Sequence, residues 1–328
     1  MNKIRIGLYG NNGHQIGKLI TPEHPDAELT AVCFPDSDEE KLRESYPGAI
    51  IYKTLDEMLS NSNTDLISLC SPKRADQVAD ALKCLNAHKH VYAEKPAAFT
   101  EEELDMLLST AKNNNVEIHE MTDAVFAEPF WTMRKLIQSG KIGEVIQVYA
   151  QKSYPSMFES RPQEDEVQGG LIRWVGIHAI CFIEHITGLK VVDVETFQTH
   201  LGNITSEGLH TAASLSMALE NGAVASACIN YLKPLGFSLW GKEAVTVFGS
   251  KGIIEINDGG LISHIYTDTD EGQIEYDESE CIDLFNILMA HLNRGKNFPL
   301  SVDEEFHPLR TAIRAVRKAI CKSSPDKI

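Results

Sequence analysis

Between Ile4 and His119 the chain alternates short apolar runs with stretches of helical periodicity, and that alternation leaves few folds open. Residues 4–9, 29–33, 65–70, 90–93 and 116–119 read as strands, each filled largely with aliphatic and β-branched side chains. The segments between them carry helix signals. Thr54 with Glu57 and Thr100 with Glu103 have capping-box spacing, each followed by apolar residues. Val78, Ala81, Leu82 and Leu85 recur at helical spacing after Ser71-Pro72. Parallel neighbours need long crossover connections, and helices supply them. The expected class is therefore α/β, with a doubly wound parallel sheet over residues 1–121.

After Met121 the pattern changes. Residues 129–138 carry one more helix and 145–150 a strand. Strand-like stretches then dominate, at 191–197, 213–219, 223–229, 244–248 and 252–256. Turn signals such as Asn221-Gly222, Ser250-Lys251-Gly252 and Asp258-Gly259-Gly260 separate several of them. Strands in succession with helices at the ends predict an α+β domain over 122–328, its sheet large, open and mostly antiparallel. A last helix is marked by Ser301 with Glu304 and by Phe306, Leu309, Ile313, Val316 and Ile320.

Charge and cysteine use narrow the function classes. Thirty Lys and Arg against 47 Asp and Glu give a net charge of −17, which opposes binding to nucleic acid or to anionic membranes. No apolar run approaches the ~18 residues that span a bilayer. The first seven residues are too interrupted by charge for a signal-peptide core. Seven scattered cysteines without a CxxC pair read as reduced thiols of a cytoplasmic protein. His185 follows His178 by seven residues but brings no Cys, Asp or Glu ligand set, so no metal is expected.

Gly10-Asn11-Asn12-Gly13-His14-Gln15-Ile16-Gly17 follows the first strand, with a helix expected to start near residues 13–20. A glycine turn at that place lets backbone N–H groups and a helix N-terminus face a pyrophosphate. The spacing is G-x-x-G-x-x-x-G rather than the dinucleotide fingerprint G-x-G-x-x-G. At the end of the second strand an acid would bond the ribose 2′-hydroxyl and repel a 2′-phosphate. Phe34 holds that place and Asp36 follows two residues later, with no arginine directly after. NAD and NADP both stay open.

Two further segments, with Ile142-Gly143-Glu144-Val145, carry a resemblance over nearly the whole chain. Tyr92-Ala93-Glu94-Lys95-Pro96 closes the fourth strand, and Gly169-Gly170-Leu171-Ile172-Arg173-Trp174-Val175-Gly176-Ile177-His178 opens a helix. They resemble the glucose–fructose oxidoreductase, inositol dehydrogenase and MocA (Gfo/Idh/MocA) family. The resemblance implies a Rossmann domain that binds NAD or NADP and a second domain whose open sheet commonly mediates oligomerisation, as a homodimer or homotetramer. It also implies a small-molecule substrate, a sugar, inositol or derivative, whose hydroxyl and carbonyl forms are interconverted. The family's lysine falls on Lys95 and its histidine on His178, as the acid–base pair.

The chemistry agrees with those roles. Hydride removal from an alcohol carbon requires a base near neutral pKa, and a nearby ammonium stabilises alkoxide charge. The expected cofactor-binding residues are Gly10, Asn11, Asn12, Gly13, His14, Phe34, Asp36, Ser71, Pro72, Glu94 and Lys95. The expected substrate-binding residues are Lys95, Tyr154, Arg161, Arg173, Trp174 and His178, with Tyr154 and Arg161 on a polar segment that covers the substrate. Lys73 and Arg173 are expected to favour an anionic substrate.

The chain departs from the family pattern at Trp174 and Cys181, where aspartates are usual, and at Asp76, where histidine is frequent. Trp174 and Phe34, both in place of carboxylates, motivate a second reading, a non-redox ligand sensor. A third, which the resemblance also implies, is a lyase or glycosidase that keeps its nicotinamide bound.

Overall fold

Six parallel strands make the sheet of the first unit: β1 (Ile4–Tyr9), β2 (Ala27–Cys33), β3 (Ile50–Ile51), β4 (Leu66–Leu69), β5 (His90–Ala93) and β6 (Ile118–Glu120). Their order is β3-β2-β1-β4-β5-β6, the doubly wound arrangement expected from the alternation. The structure is a computed structural model that describes residues 2–205, 208–276 and 283–323. Ile6, Leu8, Leu66, Ile67 and Leu69 lie wholly out of water, as uninterrupted apolar strands require. Helices α1 (Glu39–Ser45), α2 (Leu55–Asn61), α3 (Gln77–Asn86) and α4 (Glu101–Asn113) complete the crossovers. Thr100 and Glu103 form a full capping box, and the Thr54 hydroxyl accepts from the Glu57 amide.

The expected helix after the glycine loop does not form. Only a 3-10 turn, Ile16–Leu19, follows it. Pro22 and Pro25 supply no amide hydrogen and fix φ, so a helix begun at Ile16 has nowhere to continue before β2. A two-residue edge strand, β3, adds to the five expected strands.

The chain forms two units, and the division at 121/122 leaves out two returns. Glu166–Gly169 and Leu284–Pro299 belong with Met1–Met121 in the first unit. The second return carries α8 (Leu284–Arg294), which buries Leu284, Phe285, Leu288 and Met289. Asp26 fixes it by accepting from Asn293 at 2.9 Å and from Arg294 at 2.5 Å.

The second unit comprises Thr122–Asp165, Gly170–Asp283 and Leu300–Ile328. Its eight strands are β7 (Val145–Pro155), β8 (Val191–Thr199), β9 (Ala212–Leu219), β10 (Val224–Lys233), β11 (Lys242–Gly249), β12 (Gly252–Asn257), β13 (Ile262–Thr267) and β14 (Glu271–Gln273). They lie in the order β14-β13-β12-β11-β7-β10-β9-β8, antiparallel throughout except for the pair β7/β10. Helices α5 (Phe130–Gln138), α7 (Ile177–Thr187) and α9 (Val302–Ser323) belong to this unit, while the single turn α6 (Asp165–Gln168) crosses from it into the first. Every residue of α7 is buried, and α5 and α9 pack on it. A Cβ on Gly176 would meet Ile229 of β10 at 2.8 Å, so glycine lets the approach to α7 lie against the sheet. Strand β7 runs five residues past its expected end at Ala150, because alternation continues through Lys152 and Tyr154.

Cys33, Cys70, Cys84 and Cys181 are buried and in no disulfide, and burial pushes Cys33 up to about 12. Cys281 and the side chain of Cys321 lie outside the described residues. Among the described residues no helix is long and apolar enough to cross a membrane.

Candidate active site

In the first unit β1 ends between β2 and β4, the point at which an open α/β sheet reverses its winding and leaves a crevice. The loop above it bends through Gly10 at φ +66° and Gly13 at φ +135°. A Cβ on Gly10 would collide with the Cys70 carbonyl, and one on Gly13 would come within 2.5–2.7 Å of the Glu94 carboxylate. Both positions therefore need glycine for its backbone freedom and for its lack of a side chain. Gly10→Ala is expected to destabilise the protein by about 1–3 kcal/mol, seen as a lowered thermal midpoint. An unchanged midpoint would show that the loop relaxes freely.

Gln15 ties this loop to the sheet. Its Nε2 donates to the carbonyls of Tyr9 (3.0 Å), Gly10 (2.8 Å) and Ser68 (3.1 Å), and its Oε1 accepts from Ser68 Oγ at 2.8 Å. Asn12 Nδ2 donates to the carbonyls of Pro72 at 3.0 Å and Val167 at 2.7 Å. The loop amides point inward. Gly10 N–H goes to Cys33 O, Asn12 N–H to Cys70 O and Gly13 N–H to Asn11 O, while His14 N–H goes to the Glu94 carboxylate. Among the described residues no α-helix starts directly after the glycine loop, so the helix N-terminus expected there for a pyrophosphate does not form.

Glu94 is the centre of a buried charge cluster. Its carboxylate accepts from the Lys95 amide at 3.0 Å and lies 3.3 Å from Lys95 Nζ and 2.9 Å from His14 Nδ1. Lys95 Nζ in turn lies 3.4 Å from His14 Nδ1. Complete burial would raise the Glu94 carboxyl, but the charges of Lys95, His14 and Arg74 prevail and hold it down at about 2. Gln77 fixes the strand end by donating to the carbonyls of Glu94 and Pro96 and accepting from Arg74, which also donates to Asn12 O.

These residues fit the nicotinamide and ribose end of a dinucleotide. A paired ammonium, a buried carboxylate and a half-exposed imidazole meet at the carboxyl end of β5, beside the glycine loop.

Elsewhere in this unit the expected set is only partly assembled. Phe34 is buried edge-on against Tyr46, ring centroids 5.8 Å apart, so it serves the core and not a ribose. Asp36 is exposed. Ser71 Oγ donates to Asp80 at 2.8 Å, and Pro72 enters through its carbonyl. Asn11 is exposed at the tip of the loop.

In the second unit the site follows from strand alternation. Val148, Ala150, Lys152 and Tyr154 of β7 share one face of the sheet with Ala225, Ala227, Ile229, Tyr231 and Lys233 of β10. The early members are small or apolar and lie under α7, while the late members are polar, aromatic or charged. An apolar layer thus ends in a polar one beside the start of α7. His178 stands there, 4% exposed, with Nε2 3.4 Å from the Tyr154 hydroxyl. Lys152 pairs with Glu243 and lies 5.2 Å from the Tyr154 ring centroid. The exposed Trp240 indole is 6.1 Å from the same ring. Arg161 lies with its guanidinium 4.0 Å from the Tyr231 ring centroid.

Tyr154 is therefore a strand residue 6% exposed, not part of a covering polar segment as expected. Arg173 forms an ion pair with Asp165 at 3.5 Å, so its charge is already balanced. Lys73 is exposed on the first unit. Trp174 is buried within a π-helical turn, Ile172–Gly176, and Cys181 is buried on α7. Sequence reasoning missed Lys152, Tyr231, Lys233 and Glu243. The first three were legible as a continued strand period.

Two family models match the chain. One, described as the oxidoreductase family's NAD-binding Rossmann fold, covers residues 4–121, and the other, the Gfo/Idh/MocA C-terminal domain, covers 130–255. The chain belongs to the Gfo/Idh/MocA family. Its first unit is that family's NAD-binding domain, and relatives across the family are named oxidoreductases and dehydrogenases.

An uncharacterized oxidoreductase of Schizosaccharomyces pombe is 34% identical over 111 residues, 34% of this chain and 30% of the relative. The chain spans 30% and 39% of the two S. pombe relatives it matches. The myo-inositol 2-dehydrogenase of Thermotoga maritima is 23% identical over 261 residues, 76% of this chain and 74% of that enzyme. A solved oxidoreductase structure from T. maritima superposes with a TM-score of 0.86 at 26% identity, covering 97% of this chain and 98% of that one.

Proposed function

We propose that this Gfo/Idh/MocA member is an NAD-dependent oxidoreductase that interconverts a hydroxyl and a carbonyl on a sugar, inositol or related polyol, with Lys95 and His178 as its acid–base pair. One observation carries the reading beyond the family: His178 Nε2 lies 3.4 Å from the Tyr154 hydroxyl, where an apolar layer turns polar. The myo-inositol dehydrogenase relative supports the substrate class.

A bound nicotinamide dinucleotide supplies the hydride acceptor or donor. In the oxidising direction the substrate's hydroxyl takes the place of the Tyr154 hydroxyl at His178 Nε2, and that nitrogen accepts its proton. The Lys95 ammonium stabilises negative charge on the substrate oxygen. Glu94, held ionised, keeps Lys95 charged and in place. Gly10, Asn11, Asn12, Gly13 and His14 hold the dinucleotide over the crevice. Exposed apolar side chains on the second sheet, Val192, Phe197, Val224 and Leu232 among them, fit a homodimer or homotetramer.

The test is NADH formation on a panel of sugars, cyclitols and their acids. Turnover of at least one is expected. A protein that binds the dinucleotide yet turns over none in either direction would overturn the reading.

The acids after β2 favour NAD over NADP. Asp36, Asp38, Glu39 and Glu40 cluster there, and Arg43 is already paired with Glu39 at 2.6 Å. A 2′-phosphate brought among these carboxylates is repelled, so NAD⁺ is expected to bind about tenfold or more tightly than NADP⁺. Equal dissociation constants by calorimetry would contradict this.

A further inference from the structure

We propose that the substrate carries an anionic group, a carboxylate or a phosphate, which Arg161 and Lys233 receive. The proposal rests on the oxidoreductase reading above and names the substrate class within it.

Lys152 and Lys233 lie on the second unit's sheet, with Arg161 and Arg173 on the segments that follow β7, and two of these four cations are already neutralised. Lys152 pairs with Glu243, and Arg173 with Asp165. The other two have no carboxylate partner among the described residues. Lys233 is 4% exposed, and its ammonium donates only to the carbonyls of Pro234 at 3.2 Å and Phe237 at 3.0 Å. Arg161 gives one N–H to the Pro155 carbonyl at 2.7 Å and stacks on Tyr231, while its Nε is shut from water without an acceptor. Burial lowers the Arg161 pKa, the sign of a charge short of compensation. Two excess positive charges, one buried and one half-buried, are costly unless an anion joins them, and in a chain of net charge −17 they are not part of a general basic surface.

Their position defines the ligand. Arg161 bonds the carbonyl of Pro155, and Lys233 is the register partner of Pro155 in the β7/β10 pair. Tyr154 precedes that proline, and its hydroxyl lies 3.4 Å from His178 Nε2. An anion received by Arg161 and Lys233 therefore belongs one residue along β7 from the tyrosine that meets the imidazole. The exposed Trp240 offers an apolar face beside it, suited to the C–H face of a sugar ring. The class that matches is a polyhydroxy compound with the reacting hydroxyl at one place and an acid group at another: a sugar acid or a sugar phosphate.

The test uses the NAD⁺-saturated protein with D-glucose and myo-inositol as neutral compounds, and D-glucuronate, D-gluconate and D-glucose 6-phosphate as acids. Both kcat/KM and calorimetric affinity are measured for each. At least one acid should exceed the neutral compounds about tenfold to hundredfold, the worth of a charge-assisted hydrogen bond or two. Arg161→Gln and Lys233→Met should each cut that acid-to-neutral ratio about tenfold or more, and Arg161→Lys should restore part of it. Glucuronate and gluconate against glucose 6-phosphate decide between carboxylate and phosphate.

Thermal midpoints show whether each variant folds. Should Arg161→Gln fail to fold, Lys233→Met and Arg161→Lys carry the comparison. Equal or better use of the neutral compounds overturns the proposal. So does an acid preference that survives both substitutions, or binding of none of the five. Arg161-dependent acid binding without turnover of any compound supports the anion site and counts against the oxidoreductase reading. Turnover of neutral polyols without acid preference does the reverse.

Discussion

Replacing His178 with alanine lowers kcat about 10²–10⁴-fold, the usual worth of a positioned general base, while the dissociation constant for NAD⁺ stays within about twofold. The expectation follows from position. His178 stands in the first turn of α7, is 4% exposed, and meets the Tyr154 hydroxyl at 3.4 Å. Few side chains buried in an apolar layer can take a proton near neutral pH, and imidazole is the natural one. Tyr154→Phe removes the partner but not the base, so its loss in kcat should be smaller. Single-turnover NADH formation separates chemistry from product release. A wild-type rate in the alanine variant would move the proton acceptor to another residue.

The second large effect is on stability. Glu94→Gln is expected to cost about 3–5 kcal/mol at neutral pH, because it removes the buried negative charge that faces the Lys95 ammonium and the His14 ring and acts on Arg74. The pH dependence has a definite sign. The folded carboxyl titrates at about 2, below its ordinary 4.5, so its stabilising contribution is complete above about 4.5 and is lost as pH falls toward 2. The difference between wild type and variant in urea unfolding should therefore narrow below about pH 4.5. A difference independent of pH would mean that the ionised carboxylate is not what stabilises the cluster.

The N-terminal sheet was legible because a strand buried on both faces leaves a continuous apolar run, and capping boxes at Thr54 and Thr100 are local. Other features were not local. That Leu284–Pro299 returns to the first unit depends on Asp26 meeting Arg294, far along the chain. The helix expected after Gly13 was ruled out by Pro22 and Pro25, a signal present in the sequence but outweighed by the analogy of a glycine loop. Phe34 stands at the position of an acid in sequence, yet its packing against Tyr46 takes it into the core.

The site divides the same way. The Glu94-Lys95 pair could be read from a motif, and its contact with His14 follows from the sheet order. The charge balance of Arg173 and Lys152 could not, since Asp165 lies on another segment and Glu243 on another strand. The proposed anion subsite therefore rests on Arg161 and Lys233 rather than on Lys73 and Arg173, the pair expected from sequence.

Dinucleotide binding is decided by calorimetric titration of nucleotide-stripped protein with NAD⁺, NADH, NADP⁺ and NADPH. One site per chain is expected, with micromolar or tighter affinity for NAD⁺ and NADH and binding of the phosphorylated pair weaker by about tenfold or more. Absence of heat with all four would contradict it, showing that the inward-turned loop amides and the missing helix have closed the crevice to dinucleotides.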